Sequence, residues 1–469
     1  MSFLYKPSDG VAADFIPFYW NGEYHLFYLK DYRDIAGHGE GTPWFHLVSR
    51  DFVHFEECGE ILPRGSAAEQ DLYVFTGSAI ERSGAFHIFY TGHNPHLRRA
   101  GKPEQGVMHA ASPDLRTWKK DPAFLSFAPQ DIGYEANDWR DPFVFWNEAA
   151  GEYWMLLAAR KQVGPSRQRG LTACMSSPDL QHWQVRKPFW APDLYFTHEC
   201  PDLFHIGDWW YLVYSTFSDC CVTHYRMSRS LEGPWQAPGD DTFDGRAYYA
   251  AKTASDGQQR FIFGWLPTRT HEKDDGDWNW GGNLVVHELH QQPDGRLTVA
   301  PPQSVLDGFK TPLPLQPQTV LGRWNTEGET LRGGMVGRAA SMLLSAVPET
   351  CLIDTELTFA PGTSSFGLLL HADASLDHYF TLRFEPANQR MVFDRWPRPG
   401  DQPFMLERPL HLEAGQSLHV RVLLDGSCAV AYAGGQALCC RLYEHPAGQL
   451  GLFANEGEVI FNHVTAAGL

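Results

Sequence analysis

A short glycine-containing turn followed by an aromatic-rich apolar run occurs five times in the first two thirds of this chain. The copies are centred on Gly22, Gly84, Gly151, Gly207 and Gly257, and successive glycines lie 62, 67, 56 and 50 residues apart. The run after Gly22 reads Glu23-Tyr24-His25-Leu26-Phe27-Tyr28, and the run after Gly207 reads Asp208-Trp209-Trp210-Tyr211-Leu212-Val213. Repetition at slightly more than the roughly 40 to 50 residues of familiar four-stranded blades points to a five-bladed β-propeller. Each copy reads as the hairpin between the two inner strands of one blade.

Three copies carry an acid just upstream. Asp14 lies eight residues before Gly22, Glu199 eight before Gly207, and Asp141 ten before Gly151, where Asn147-Glu148-Ala149-Ala150 lengthens the turn. The spacing assigns the three acids one equivalent position in blades one, three and four. Innermost strands face the central channel of a propeller, so these carboxylates are expected to converge there as a catalytic centre. Thr76 takes the corresponding place in blade two, eight before Gly84, and with Phe75 and Ser78 it is a candidate ligand contact.

A second repeat has the same period. Ser49-Arg50-Asp51-Phe52, Ser112-Pro113-Asp114-Leu115, Ser177-Pro178-Asp179-Leu180 and Ser228-Arg229-Ser230-Leu231 each run on to an aromatic, at Phe55, Trp118, Trp183 and Trp235. Serine and aspartate hydrogen-bond their own backbone in tight turns. Asp51, Asp114 and Asp179 are therefore read as structural, with the aromatics covering the seams between blades.

The surroundings of the acids sharpen the expectation. Asp14 sits in Ala12-Ala13-Asp14-Phe15-Ile16-Pro17-Phe18, and a buried carboxylate is costly unless paired or used. Arg140 adjoins Asp141 and can hold it ionised or share ligand hydroxyls with it. Glu199 and Asp202 are three apart in a strand-like run and so face opposite sides; register with Asp14 selects Glu199. Neighbouring carboxylates raise the pKa of a general acid, which suits that role. Trp44, Trp265 and Trp280 are candidate sugar-stacking residues, with packing between blades as the competing role.

Beyond Pro301-Pro302 and the proline-rich stretch Thr311-Pro312-Leu313-Pro314-Leu315-Gln316-Pro317, the texture changes to alternating strands such as Phe366-Gly367-Leu368-Leu369-Leu370-His371. The expected architecture is all-β: a propeller over residues 1–305, a connector over 306–322, and a β-sandwich over 323–469. A chain of 469 residues exceeds what one core usually supports, in keeping with two domains.

A formal charge of −18 argues against nucleic acid and acidic membranes; an uncharged small carbohydrate is the compatible partner. Met1-Ser2-Phe3-Leu4-Tyr5-Lys6-Pro7 lacks the basic and apolar regions of a secretory signal, so a soluble, cytoplasmic protein is expected. Nine cysteines point to reduced thiols, with the Cys220-Cys221 and Cys439-Cys440 pairs read as buried apolar residues. The 21 histidines show no metal-site spacing, and there is no Gly-x-Ser-x-Gly elbow. Neither metal nor cofactor is expected.

Phe75-Thr76-Gly77-Ser78, Tyr90-Thr91-Gly92, Trp139-Arg140-Asp141-Pro142, Glu199-Cys200-Pro201-Asp202-Leu203 and Phe263-Gly264-Trp265 together resemble glycoside hydrolase family 32, the β-fructosidases. Trp44-Phe45-His46 looks like that family's first-blade Trp-Gly-His element. The resemblance implies retaining hydrolysis of β-fructofuranosides such as sucrose or short fructo-oligosaccharides. Asp14 matches the nucleophile, Glu199 the acid/base, and Asp141 the transition-state stabiliser. Retaining chemistry places nucleophile and acid about 5 to 5.5 Å apart.

One departure stands out: Ala13 and Phe15 flank Asp14 where the family usually has Trp-Met-Asn-Asp-Pro-Asn-Gly. The shortened segment is closer to the related family 43, whose members cleave arabinose or xylose linkages with inversion. That reading, a fructosyltransferase or difructose-anhydride enzyme on the same site, and a non-catalytic sugar-binding protein stay open at the level of sequence.

Overall fold

The computed structural model of the chain describes residues 2–246, 248–444 and 448–469. Blade one contains β1 (Val11–Trp20), β2 (Glu23–Asp31), β3 (Trp44–Ser49) and β4 (Glu56–Leu62), and blade two contains β5 (Tyr73–Arg82), β6 (Ala85–His93), β7 (Gln105–Ser112) and β8 (Lys119–Ser126). Blade three contains β9 (Tyr134–Asn147), β10 (Glu152–Lys161), β11 (Gly170–Ser177) and β12 (Gln184–Val185). Blade four has β13 (Glu199–Ile206), β14 (Trp209–Thr216) and β15 (Val222–Ser228), with isolated bridges at Gln236 and Thr242 along its outer edge. Blade five has β16 (Tyr249–Ser255), β17 (Arg260–Arg269), β18 (Trp278–Gln291) and β19 (Leu297–Ala300).

The five glycine turns are the hairpins joining the first two strands of each blade, as their spacing predicts. The first strands β1, β5, β9, β13 and β16 contact one another in that order, and β16 returns to β1. A single main-chain pairing of Ala12 with Gly282 also ties β1 to β18, so the first and last blades form one continuous sheet. The Ser/Asp repeat behaves as expected: Asp51, Asp114 and Asp179 each accept two backbone N–H bonds from the residues that follow them. Trp118 then meets Phe27 of blade one edge-on at 5.8 Å, and Trp183 meets Phe89 of blade two at 5.4 Å. One turn thus locks its own blade and supplies the wedge for the seam.

Each first strand also carries a bulge at the same depth. Two residues stand against one at Asp14-Phe15, Asp141-Pro142, Cys200-Pro201 and Ala250-Ala251, and Thr76 is the extra residue in blade two. Asp14, Asp141, Cys200 and Ala250 have φ of 46°, 57°, 51° and 51°. That left-handed region costs a non-glycine residue roughly 1–2 kcal/mol, so the bulges are held by their neighbours rather than chosen by the residues themselves.

The C-terminal portion forms two antiparallel sheets of eight and seven strands. Phe366, Leu368 and Leu370 face Val420, Val422 and Leu424 across a shared core, with the period of two expected of sandwich strands. β20 (Thr311–Pro312) and β21 (Gln318–Leu321), which fall in the stretch read as a connector, each join an edge of one of these sheets. The eight-stranded sheet is apolar on both faces. Leu423, Val430, Tyr432 and Cys439 alternate with the core residues and pack onto the propeller beside Leu284, Val285 and Phe261. Cys439 and Cys440 accordingly point to opposite faces, whereas Cys220 is exposed and Cys221 half-buried, against the expectation of burial for both pairs. Cys220 and Cys221 lie in the turn between β14 and β15 rather than inside a strand, which leaves them near solvent.

Arg441 fastens the two portions. Its buried guanidinium donates to the carbonyls of Pro267 and Leu266 and to Asn283 Oδ1 at 2.9, 2.9 and 2.7 Å. A buried carbonyl left without a donor costs about 1–3 kcal/mol. We expect Arg441→Ala to lower the unfolding free energy by at least about 3 kcal/mol, measured by urea denaturation, since several acceptors lose their partner together.

Candidate functional site

The bulges explain how consecutive side chains reach one space. In a regular strand neighbours point to opposite faces, but Arg140 and Asp141, Glu199 and Cys200, and Tyr249 and Ala250 all line a single cleft of about 1040 Å³ together with Asp14. Glu199 is one rung earlier than the spacing suggested. It pairs with Ser215 just before the bulge, in register with Ala13 and Arg140, and Cys200 is the true counterpart of Asp14 and Asp141. The glycine of the fourth turn comes first in its two-residue loop, whereas that of the first turn comes second, which produced the apparent match. The bulge compensates, and the three carboxylates meet as expected.

Asp14 is held by two donors: Thr76 Oγ1 gives to Oδ2 at 2.5 Å and Trp265 Nε1 to Oδ1 at 3.0 Å. Burial pushes its carboxyl up to about 7, the two hydrogen bonds oppose this, and the charges of Asp141 and Glu199 add to it. Asp141 accepts the backbone N–H of Cys200 at 3.0 Å, and its own N–H donates to Thr91 Oγ1 at 2.7 Å. Burial raises its pKa as well, with Arg140 pulling the other way.

Glu199 takes one bond on each oxygen, from Arg140 Nη2 at 3.0 Å and from the Tyr249 hydroxyl at 2.5 Å. Arg140 also donates to Asp138 at 2.6 Å, Gln105 at 3.2 Å and Thr197 at 3.2 Å, and its Nε lies 3.8 Å from Asp141. Beyond it the charges continue through Arg160 to Glu135 at 2.9 Å and Arg169 at 2.8 Å. The arrangement offers three carboxylates with distinct partners around a space large enough for a sugar, which is what acid–base and nucleophilic work on one linkage needs.

The other expected site residues divide. Phe75, Arg140, Trp265 and Trp280 line the cleft beside the acids. Thr76 is fully buried and acts on Asp14 rather than lining the space. Ser78 is a correction: two residues past Thr76, its buried hydroxyl accepts the Val144 N–H at 2.9 Å and ties β5 to β9. Trp44 is another correction. It is fully buried on the third strand of its blade, stacked on Phe27, with Nε1 donating to the Val74 carbonyl at 3.1 Å. Asp202 faces blade five and accepts the Thr253 N–H, the structural role expected of it.

Tyr249 and Asp138 carry site roles that the sequence reading does not assign, whereas Trp278, an aromatic the sequence offers as a possible sugar-cleft residue, lines the cleft. Tyr249 lies eight residues before Gly257, the offset already used for Asp14 and Glu199, so a phenol on the fifth rung was there to be found. Asp138 carries no such marker; it lies on an unusually long strand that extends past the bulge level to the cleft mouth. Among the described residues no group of three or more His, Cys, Asp or Glu could hold a metal ion, and no helix is long and apolar enough to cross a membrane.

The raised pKa of Asp14 links function to stability. Unfolded aspartate titrates near 3.9, so the folded protein binds the extra proton between about pH 4 and 7, and the stability this gives is lost as pH rises through about 7. Asp14→Asn removes the buried charge and is expected to melt at a higher temperature than the wild type at pH 8. The gap should shrink towards pH 4, as followed by calorimetry across that range.

The chain matches the glycosyl hydrolases family 32 N-terminal domain over residues 7–301 and the family 32 C-terminal region over residues 328–467. It is 25% identical to raffinose invertase of Escherichia coli over 483 residues, covering 95% of this chain and 90% of that protein. It is 23% identical to sucrose-6-phosphate hydrolase of Escherichia coli over 472 residues, covering 95% and 89%. A levanase of Bacillus sp. (strain L7) is 25% identical over 98% of this chain, which spans about half, 48%, of that longer protein. Among solved structures, fructan 1-exohydrolase IIa from Cichorium intybus superposes with a TM-score of 0.75 and exo-inulinase from Aspergillus awamori with 0.74. Each is 18% identical and covers 99% of this chain and 96% of its own, a likeness that speaks for the propeller and sandwich fold. With both matched regions falling on the two structural portions, the chain belongs to glycosyl hydrolases family 32.

Proposed function

We propose that this protein is a β-fructofuranosidase that releases terminal fructose from sucrose or short fructo-oligosaccharides by double displacement with retention. The observation carrying this reading is the meeting of Asp14, Asp141 and Glu199 in one cleft with separate hydrogen-bond partners. Its relatives include an invertase, a levanase and a sucrose-6-phosphate hydrolase, which supports fructosides as the substrate class.

In this mechanism the ionised Asp14 attacks the anomeric carbon while Glu199 protonates the departing glycosidic oxygen. The resulting fructosyl ester is then hydrolysed by a water from which Glu199, now a carboxylate, removes a proton. Thr76 and Trp265 hold the Asp14 oxygens in place for attack, and Arg140 and Tyr249 hold those of Glu199. Asp141, anchored by the Cys200 N–H, has an oxygen available to grip sugar hydroxyls more tightly as the ring flattens.

Asp14→Ala and Glu199→Ala are each expected to slow fructose release from sucrose by at least about 10²-fold, and near-normal turnover in either variant overturns the assignment. Proton NMR of the first turnovers should show β-fructose before mutarotation; the α-anomer appearing first would mean inversion. The nucleophile must be ionised, so kcat/KM is expected to climb as pH rises through about 7. Thr76→Val deletes a bond that favours the ionised form, and the acidic limb of that profile should move to higher pH.

A further inference from the structure

One position in the fold supports the first-strand bulges from the blade before. The second-strand residue opposite the last rung ahead of each bulge is Leu29, Thr91, Ala158, Ser215 and Trp265 in blades one to five. The three polar members each reach the bulge of the next blade. Thr91 Oγ1 accepts the Asp141 N–H at 2.7 Å, Trp265 Nε1 donates to Asp14 Oδ1 at 3.0 Å, and Ser215 Oγ accepts the Ala250 N–H at 3.1 Å. After the apolar Ala158, the next bulge is held differently, by Asp141 accepting the Cys200 N–H at 3.0 Å.

Thr91 and Trp265 thus secure two carboxylates of the cleft, whereas Ser215, fully buried, secures the backbone of an alanine. The residue just ahead of that alanine is Tyr249, whose hydroxyl donates to Glu199 Oε2 at 2.5 Å. Thr223 of β15 reinforces the serine: their hydroxyls are 2.8 Å apart, and Thr223 Oγ1 accepts the Ala251 N–H at 3.3 Å. One hydroxyl pair therefore holds both amides of the fifth bulge. Ala250 has φ of 51°, a region alanine does not favour, and its methyl can bond nothing in compensation. The backbone that aims Tyr249 depends on the pair.

We propose that Ser215, backed by Thr223, is a positioning residue for the acid/base, fixing the fifth bulge and through it the Tyr249 hydroxyl on Glu199. The inference rests on the fructosidase reading for the role of Glu199. Loss of the serine hydroxyl impairs delivery of the proton to the departing oxygen and leaves the attack by Asp14 intact.

The test compares sucrose, whose leaving group needs that proton, with 4-nitrophenyl β-D-fructofuranoside, whose nitrophenolate departs without one. Because kcat/KM counts only the steps up to the fructosyl ester, it isolates proton donation from the later water step. In Ser215→Ala, kcat/KM for sucrose is expected to fall at least tenfold while that for the aryl fructoside stays within twofold. Ser215→Thr, which places at this rung the residue that blade two carries there, should retain the wild-type ratio. Thr223→Val, which leaves the serine in place, should repeat the selective loss. Equal losses on both substrates, or an unchanged rate on sucrose in Ser215→Ala, overturn the proposal. Adding Ser215→Ala to a Tyr249→Phe enzyme should change kcat/KM for sucrose by less than twofold, since the contact it positions is already gone; losses that multiply overturn the route through Tyr249. If the wild type hydrolyses neither substrate, the fructosidase reading fails by itself and a crystal structure of Ser215→Ala decides the positioning. A Tyr249 hydroxyl more than 3.5 Å from Glu199 supports it, and an unbroken hydrogen bond overturns it.

Discussion

Arg140 is buried in the cleft wall with Asp138 at 2.6 Å, Glu199 at 3.0 Å and Asp141 at 3.8 Å. Desolvating a single carboxylate costs several kcal/mol even after relaxation, and only close, well-directed counter-charges repay it. The guanidinium is suited to this because its planar fork can satisfy several acceptors at once. Its attraction to the three acids outweighs its own burial, so it stays fully charged. Without that cation, Asp141 and Glu199 would stand beside Asp14 with their nearest positive partner gone. Lys252, another buried cation nearby, donates to the Pro201 carbonyl and bears only weakly on Asp141.

The bulges are the second half of the same solution. Ring closure brings five first strands together, but strict alternation would give the channel only every second residue. Breaking the alternation once per blade, at one depth, lets Arg140 sit next to the acid it neutralises and lets Glu199 reach a cleft its rung would otherwise miss. The left-handed backbone recurs at this depth in four blades, at Asp14, Asp141, Cys200 and Ala250, and two of those positions carry carboxylates of the cleft. Neighbouring blades hold it in place: Thr76 of blade two grips Asp14 of blade one, and Thr91 of blade two receives the Asp141 N–H.

These features were unevenly legible in the sequence. The blade count, the hairpins and the structural turns at Asp51, Asp114 and Asp179 followed from local patterns, because turn chemistry is local. The convergence of Asp14, Asp141 and Glu199 followed from the repeat. What escaped was anything decided by one residue of register. A bulge leaves no mark in composition, so spacing alone puts Glu199 a rung too far along and groups Ser78 with the ligand contacts, although its hydroxyl faces the neighbouring strand. Trp44 misled for a different reason: a tryptophan serves equally in a seam and in a cleft, and only its place on the third strand decides.

The pairing of Ala12 with Gly282 spans 270 residues of chain. On the ribosome, at about 5–20 residues per second, the strand bearing Asp14 emerges tens of seconds before the segment that supplies Gly282 exists. During that interval Val11–Trp20 has β2 on one side and lacks even the Ala12 pairing on the other, leaving an edge open to association between nascent chains. Synthesis of this protein is therefore expected to lean on chaperones that shield its earliest blade until translation reaches the fifth.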